Sequence, residues 1–370
     1  MSDLFRHAYA ELTDFIARHP EIEIGESVTS IPESVRSDFY AIFNSTRSAF
    51  VEEKFSECLR KSERLKREYA GAVEEVAGFI LMEDSPTVSA LRRYLSDYRE
   101  CLARELFDPL FDLLKTRETL EGFERSASSK IDEVFPILYR GGYERWTVLS
   151  LAKLLEVDRA LRVPVRELQA GGRAKSAAYA PIEAVPLPVE SAGFSFSRPA
   201  KAIYAVPDFI VHSTRLSRFV GIRSEFKEGI HHALNASSER EWYPVDVNLL
   251  KLLAGGLTLI YVSQKPESIA LVADVGRFCR PDLLLWCVDA QTASRKEALE
   301  KMEQATARLK PTRGSFIIAN DLWPGTGDTA DPPGSSSQKD MQVSGIQILT
   351  VGFDRLKLMP VIEALCDREN

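Results

Sequence analysis

The stretch VPDFIVHSTRLSRFVGIRSEFKEG, residues 206–229, decides the fold expected for the second half of the chain. Two short apolar segments flank a polar turn, a pattern that predicts an antiparallel hairpin. Because side chains alternate between the two faces of a strand, Glu225 and Lys227 are expected to be neighbours on one face. Pairing of the strands would bring Asp208 beside them. Two converging carboxylates suit a hard divalent cation, and a nearby lysine can orient or deprotonate a water molecule, so the stretch predicts a metal-assisted hydrolytic site.

The pairs Pro207-Asp208 and Glu225-x-Lys227 resemble the PD-(D/E)XK nuclease superfamily, also called the restriction-endonuclease-like fold. The resemblance implies that Asp208 and Glu225 hold Mg²⁺ or Mn²⁺ and that Asp208, Glu225 and Lys227 are catalytic. It implies hydrolysis of phosphodiester bonds in nucleic acid, with DNA favoured over RNA, in a defence or repair setting.

A helix is predicted just before this region, in GGYERWTVLSLAKLLEV, residues 141–157, where apolar residues recur at helical spacing. In the nuclease superfamily a helix ahead of the motif strands packs on the sheet and often carries a glutamate that reaches the metal. Glu144 matches that glutamate by position and is the fourth candidate catalytic residue. The alternative is an ordinary first-turn glutamate, which the helix dipole favours at this place.

Helical and strand-like patterns divide the chain into two predicted domains. Residues 1–140 are almost continuously helical and predict a bundle or hairpin module, suited to binding a protein partner or to forming a homo-oligomer. Residues 141–370 predict an α/β (α+β) domain, a mixed sheet flanked by helices as in the restriction-endonuclease-like fold. A long connection is expected at 168–200, and the polar loop at 325–344 is expected to be mobile.

Within the predicted α/β domain, strand-like and helix-like runs alternate. Strands are predicted at 202–206, 208–212, 218–224, 257–263, 282–290, 314–320 and 346–352, and helices at 266–280, 293–310 and 356–367.

Composition is that of a soluble globular protein, with 45% hydrophobic and 27% charged residues and no apolar run of the length a membrane helix needs. The five cysteines have no CxxC spacing, which predicts free thiols in the cytoplasm. Net charge is −7, yet residues 141–260 hold 15 Lys and Arg against 12 Asp and Glu. This positive balance around the hairpin suits a surface that binds phosphate.

Two other interpretations stay open. Arg223 interrupts the apolar run that is common ahead of the acid-x-lysine pair, and an arginine there would weaken metal binding or contact phosphate. A non-catalytic interaction or scaffold protein, with a helical partner-binding module and a degenerate α/β domain, is therefore the alternative function. A Rossmann-like nucleotide site is the other α/β possibility, because Asp289, Asp321 and Asp354 lie near predicted strand ends. Asp282 is interpreted as the start of a strand.

Overall fold

The protein is described from a computed structural model. The described residues are 3–26, 28–82, 90–162, 189–194, 196, 208–223, 242–244, 256–269, 273–274, 277–323 and 345–366. The chain forms two compact units: unit 1 comprises Met1–Tyr69 and Val88–Gly142, and unit 2 comprises Ala70–Thr87 and Tyr143–Asn370. Unit 2 is therefore built from two separate stretches of the sequence.

Helices dominate the first 154 residues, as their periodicity predicts. They are α1 Leu4–Arg18, α2 Glu33–Lys54, α3 Ser56–Ala77, α4 Ala90–Ser96, α5 Tyr98–Arg104, α6 Phe107–Leu114 and α7 Leu120–Leu154. In α1 the buried residues Phe5, Ala8, Leu12 and Phe15 recur every three or four positions and form one apolar face. The prediction of an all-helical module is wrong in one detail. Glu23–Ile24 (β1) and Thr29–Ser30 (β2) pair as a short antiparallel ribbon.

An eight-stranded mixed sheet forms the centre of unit 2. Its strands are β3 Val157–Arg162, β4 Glu190–Ala192, β5 Phe209–Ser213, β6 Arg218–Arg223, β8 Leu257–Ser263, β11 Leu283–Val288, β12 Ser315–Ala319 and β13 Ile346–Thr350. Their order is β13-β12-β11-β8-β6-β5-β3-β4. The three strands from β13 to β11 are parallel, and all other neighbours are antiparallel. The predicted mixed sheet is confirmed.

Helices pack on both faces of this sheet. On one face lies α8, Arg295–Leu309, which buries Ala298, Met302, Ala305 and Leu309 in a cluster with Trp286 and other strand residues. A capping box between Ser294 and Glu297 starts α8. On the other face, the Thr147 hydroxyl of α7 accepts a hydrogen bond from the Cys287 thiol of β11, at 3.5 Å. The last helix is α9, Met359–Cys366.

One predicted helix is wrong. The described residues of 266–280 form a 3₁₀ turn at Pro266–Ile269, β9 Ala273–Asp274 and β10 Arg277–Cys279. These strands form a small sheet with β7, Trp242–Pro244. The pairing of β10 with β7 joins distant parts of the chain, so the local periodicity of the sequence could not predict these strands.

A second difference concerns α7. The sequence predicts a helix from residue 141, but α7 begins at Leu120 and continues through Pro136 and the pair Gly141-Gly142. Among the described residues, no helix has the length and apolar character that crossing a membrane requires.

Two helical glycines should respond oppositely to substitution. A Cβ on Gly142 in α7 would lie 2.7 Å from Leu65 Cδ2 and 3.1 Å from Leu95 Cδ2, whereas a Cβ on Gly71 in α3 would meet nothing within 4 Å. We expect Gly142→Val to lower the free energy of unfolding by about 1–3 kcal/mol through overpacking. We expect Gly71→Ala to raise it by about 0.5–1 kcal/mol through helix propensity. Urea unfolding measures both, and shifts of the same sign would contradict the packing described.

Candidate functional site

The predicted hairpin is present as β5 and β6. The strands pair antiparallel with Phe209 opposite Ile222 and Val211 opposite Val220. The Asp208 N–H donates to the Ile222 carbonyl at 2.8 Å, which extends the ladder by one residue. Asp208 therefore lies opposite Arg223 at the open end of the hairpin, and the two side chains are on one face of the sheet.

The Asp208 carboxylate forms a buried ion pair with the Arg223 guanidinium. Arg223 Nη1 is 3.5 Å from Asp208 Oδ1, and the two side chains are only 5% and 3% exposed. The charge of Asp208 is thus compensated by a cation of the protein itself. Glu225 and Lys227, the other half of the predicted motif, lie outside the described residues.

Mg²⁺ binds several oxygen ligands, and a guanidinium beside a ligand carboxylate repels the ion. In the described part of the chain, no group of three or more His, Cys, Asp or Glu side chains is placed to hold a metal. Among the described residues, Asp208 therefore forms an internal ion pair, and Glu225, the other predicted metal ligand, lies outside them.

Glu144 lies elsewhere. It is buried on α7, with 6% exposure, and its carboxylate accepts a hydrogen bond from the hydroxyl of Thr258 on β8. The next residue, Leu259, is opposite Arg223 on β6. Because consecutive residues of a strand point to opposite faces, Glu144 contacts one face of the sheet while Asp208 and Arg223 lie on the other. The structure does not bring these two candidate acids together.

Another polar group lies at the carboxyl ends of the parallel strands. Asp289 follows β11, Asn320 follows β12, and both are buried. The Asn320 amide donates to Asp289 Oδ1 at 3.1 Å and accepts from the Ala290 N–H at 3.0 Å. Asp289 Oδ1 also accepts from the Gln291 N–H at 3.3 Å. Through these bonds Asp289 caps the end of β11 and is linked to the end of β12.

The sequence did not single out Asn320. A signal was available, because Asn320 directly follows a predicted strand, and the carboxyl ends of neighbouring parallel strands meet at one edge. Asp282 is also held internally: its carboxylate accepts from the Val262 N–H at 2.6 Å and from the Thr312 hydroxyl at 2.9 Å. This agrees with its interpretation as the start of a strand.

The fold and these contacts define a mixed α/β protein with an added helical region and internally paired acids on its sheet. No protein-family model, no curated protein and no solved structure matches the chain.

Proposed function

We propose that unit 2 is a nuclease-type α/β unit that works as a non-catalytic binding scaffold. The buried ion pair between Asp208 and Arg223 carries this proposal. In a metal-dependent hydrolase this carboxylate faces the cation, whereas here it faces a guanidinium in a site with almost no solvent exposure. An arginine in place of a metal keeps the hairpin electrostatically balanced without any ion.

The nuclease-type architecture is supported by the arrangement of elements around the hairpin. A helix, α7, precedes the hairpin strands and packs on the sheet through Thr147 and Glu144. The sheet is mixed and has α8 on its other face. Fold alone does not set activity, and the internal pairing of Asp208 is the observation that supports the scaffold.

The second candidate is a metal-dependent nuclease acting on DNA, with Asp208 and Glu225 as ligands of Mg²⁺ or Mn²⁺ and Lys227 as a catalytic group. One observation favours it: the hairpin exists, and Asp208 lies on the face that the alternation predicted for Glu225 and Lys227. The cytoplasm is the compartment expected for either function.

A calorimetric titration with Mg²⁺ and Mn²⁺, paired with cleavage assays on plasmid and single-stranded substrates, separates the two candidates. For the scaffold we expect neither binding heat nor cleavage from the full chain, because Arg223 already neutralises Asp208. Cleavage by the wild type that Glu225→Ala and Lys227→Ala both abolish would overturn the scaffold. In that case the Glu225→Ala variant should also lose the heat of metal binding. The Lys227→Ala variant should keep that heat, since a protonated lysine offers no lone pair to a metal.

A further inference from the structure

The eight-stranded sheet ends in two edge strands of different character. At one edge, β4 has three residues and includes the acidic Glu190. Short strands and charged residues are two means by which proteins keep a sheet edge from pairing with another chain. At the other edge, β13 has five residues, Ile346–Thr350, without a charge or a proline. Its register with β12 is regular and has no bulge. The edge formed by β13 therefore lacks the protections that β4 has.

Alternate residues of β13 direct their backbone groups away from β12. The N–H of Val351, just beyond the strand, donates to the Ala319 carbonyl of β12 at 2.9 Å. Backbone groups alternate in direction along a strand, so every second residue before Val351 also faces β12. The residues between them direct their N–H and C=O groups to the open edge: Ile346, Ile348 and Thr350. Among the residues that the structure describes, no strand pairs with β13 on that side.

The three outward-facing residues are arranged symmetrically about Ile348. In an antiparallel pair, residues directly opposite each other exchange both backbone hydrogen bonds at every second position. A second copy of β13, related by a two-fold axis at Ile348, places Ile348 opposite itself and Ile346 opposite Thr350. Each outward N–H then meets an outward C=O. The edge is thus complementary to itself, which is the requirement of a two-fold symmetric interface.

The side chains agree with this pairing. Ile348 is the register partner of Ile317 and is half-buried against the core cluster under α8, so part of its surface remains uncovered. Placing Ile348 opposite itself brings two apolar side chains together and opposes no like charges. In the segments that follow β12 and β13, Leu322 and Leu356 are 64% and 66% exposed, which adds apolar surface beyond the strand ends.

We propose that β13 is the contact of a homodimer, in which two copies of the chain join their sheets by antiparallel pairing of β13 around Ile348. The contact uses the sheet edge of unit 2 and not the helical region, for which the sequence predicts self-association. It is independent of whether unit 2 binds or cleaves a ligand. The five residues of β13 are far fewer than the roughly 20–30 a side of a standard interface, so we expect a weak dimer with a Kd of about 10–100 µM.

Sedimentation velocity of the full chain tests the proposal, at concentrations from about 1 to 200 µM that bracket the expected Kd. We expect the wild type to change from monomer to dimer across this range. Ile348→Lys places two ammonium groups opposite each other and should weaken association about tenfold or more. Ile348→Met keeps an apolar side chain at the axis, so this matched control should dimerise as the wild type does. Circular dichroism melting should show each variant folded.

A mixture of two variants tests the register itself. Ile348→Glu alone should dimerise as poorly as Ile348→Lys. Mixed in equal amounts, the two variants should form a heterodimer, because residue 348 faces itself across the axis and the opposite charges attract. A wild type that stays monomeric at the highest concentration, a dimer that Ile348→Lys leaves intact, or a mixture that does not associate would overturn the inference. None of these results concerns metal binding or cleavage, so they are distinguishable from failure of the scaffold proposal.

Discussion

Replacing Arg223 with methionine should lower the free energy of unfolding by about 3–5 kcal/mol, the usual cost of removing one partner from a buried ion pair. The substitution keeps a long apolar side chain, so little volume is lost. It removes the guanidinium that lies 3.5 Å from the Asp208 carboxylate, whose side chain is 3% exposed. The loss is electrostatic, because that carboxylate stays in a site from which solvent is largely excluded. Urea unfolding of wild type and variant gives the difference.

A double variant is the matched control. Asp208→Leu combined with Arg223→Met removes both charges, and replacement of a whole buried pair by apolar side chains is often neutral or stabilising. We expect the double variant to recover most of the stability that Arg223→Met loses. A single variant that costs less than about 1 kcal/mol, the range of exposed pairs, would show that Asp208 is not held by Arg223. Stabilisation of Arg223→Met by Mg²⁺ would favour the nuclease candidate.

Arg47→Ala should be the most destabilising charge removal in unit 1, at about 3 kcal/mol. Arg47 lies on α2 and is 3% exposed. Its Nη1 donates to the Ala103 carbonyl at 3.0 Å, at the C-terminal end of α5, and its guanidinium carbon is 5.4 Å and 5.6 Å from the Phe43 and Phe107 ring centroids. Alanine removes that donor and leaves a space among the rings.

Burial lowers the pKa of Arg47, and the nearby Glu100 carboxylate opposes that shift. Arginine nevertheless stays charged across the working pH range, so the loss should be the same at pH 6 and pH 8. Arg47→Met fills most of the space and should lose about half as much as alanine. Arg60→Ala, whose side chain is exposed, should leave the denaturation midpoint nearly unchanged. Equal midpoints for Arg47→Ala and Arg60→Ala would exclude a structural role for Arg47.

The sequence was sufficient to predict elements whose signal is local. The hairpin followed from alternation around a polar turn, and α8 followed from the helix-like run predicted at 293–310. The strands β8, β11, β12 and β13 are short apolar runs bounded by turn residues, which is why their positions agree with the prediction within two residues at either end.

Errors arose where distant contacts override local preference. The run at 266–280 has a helical apolar pattern, yet Arg277–Cys279 pairs with Trp242–Pro244. The helix predicted from residue 141 in fact begins at Leu120 and runs through Gly141-Gly142, where a Cβ on Gly142 would lie 2.7 Å from Leu65 Cδ2. Helix propensity is a weak prior against packing of this kind.

The candidate site divides in the same way. The sequence shows that Arg223 interrupts the apolar run. Alternation along the strands places Arg223 on the same face as Asp208, so the ion pair between them could have been predicted. The bond between Glu144 and Thr258 spans 114 residues, and a sequence without strand register does not indicate which residue of β8 meets α7. The prediction for Glu144 used only its position near the start of a predicted helix. That position does not determine which face of the sheet Glu144 contacts.

The discontinuity of unit 2 has a consequence for how the protein folds as it leaves the ribosome. The stretch 70–87 is made early, yet Glu75 within it pairs with Arg355, which is 280 residues later. At about 5–20 residues per second, translation separates the two by on the order of tens of seconds. All residues of unit 1 have been made by Gly142, so unit 1 can fold while 70–87 still lacks its final partners. Unit 2 can be completed only when the last segments of the nascent chain have been made. Its two stretches are far apart in the sequence, and bringing them together closes a long loop, so unit 2 should fold more slowly than unit 1.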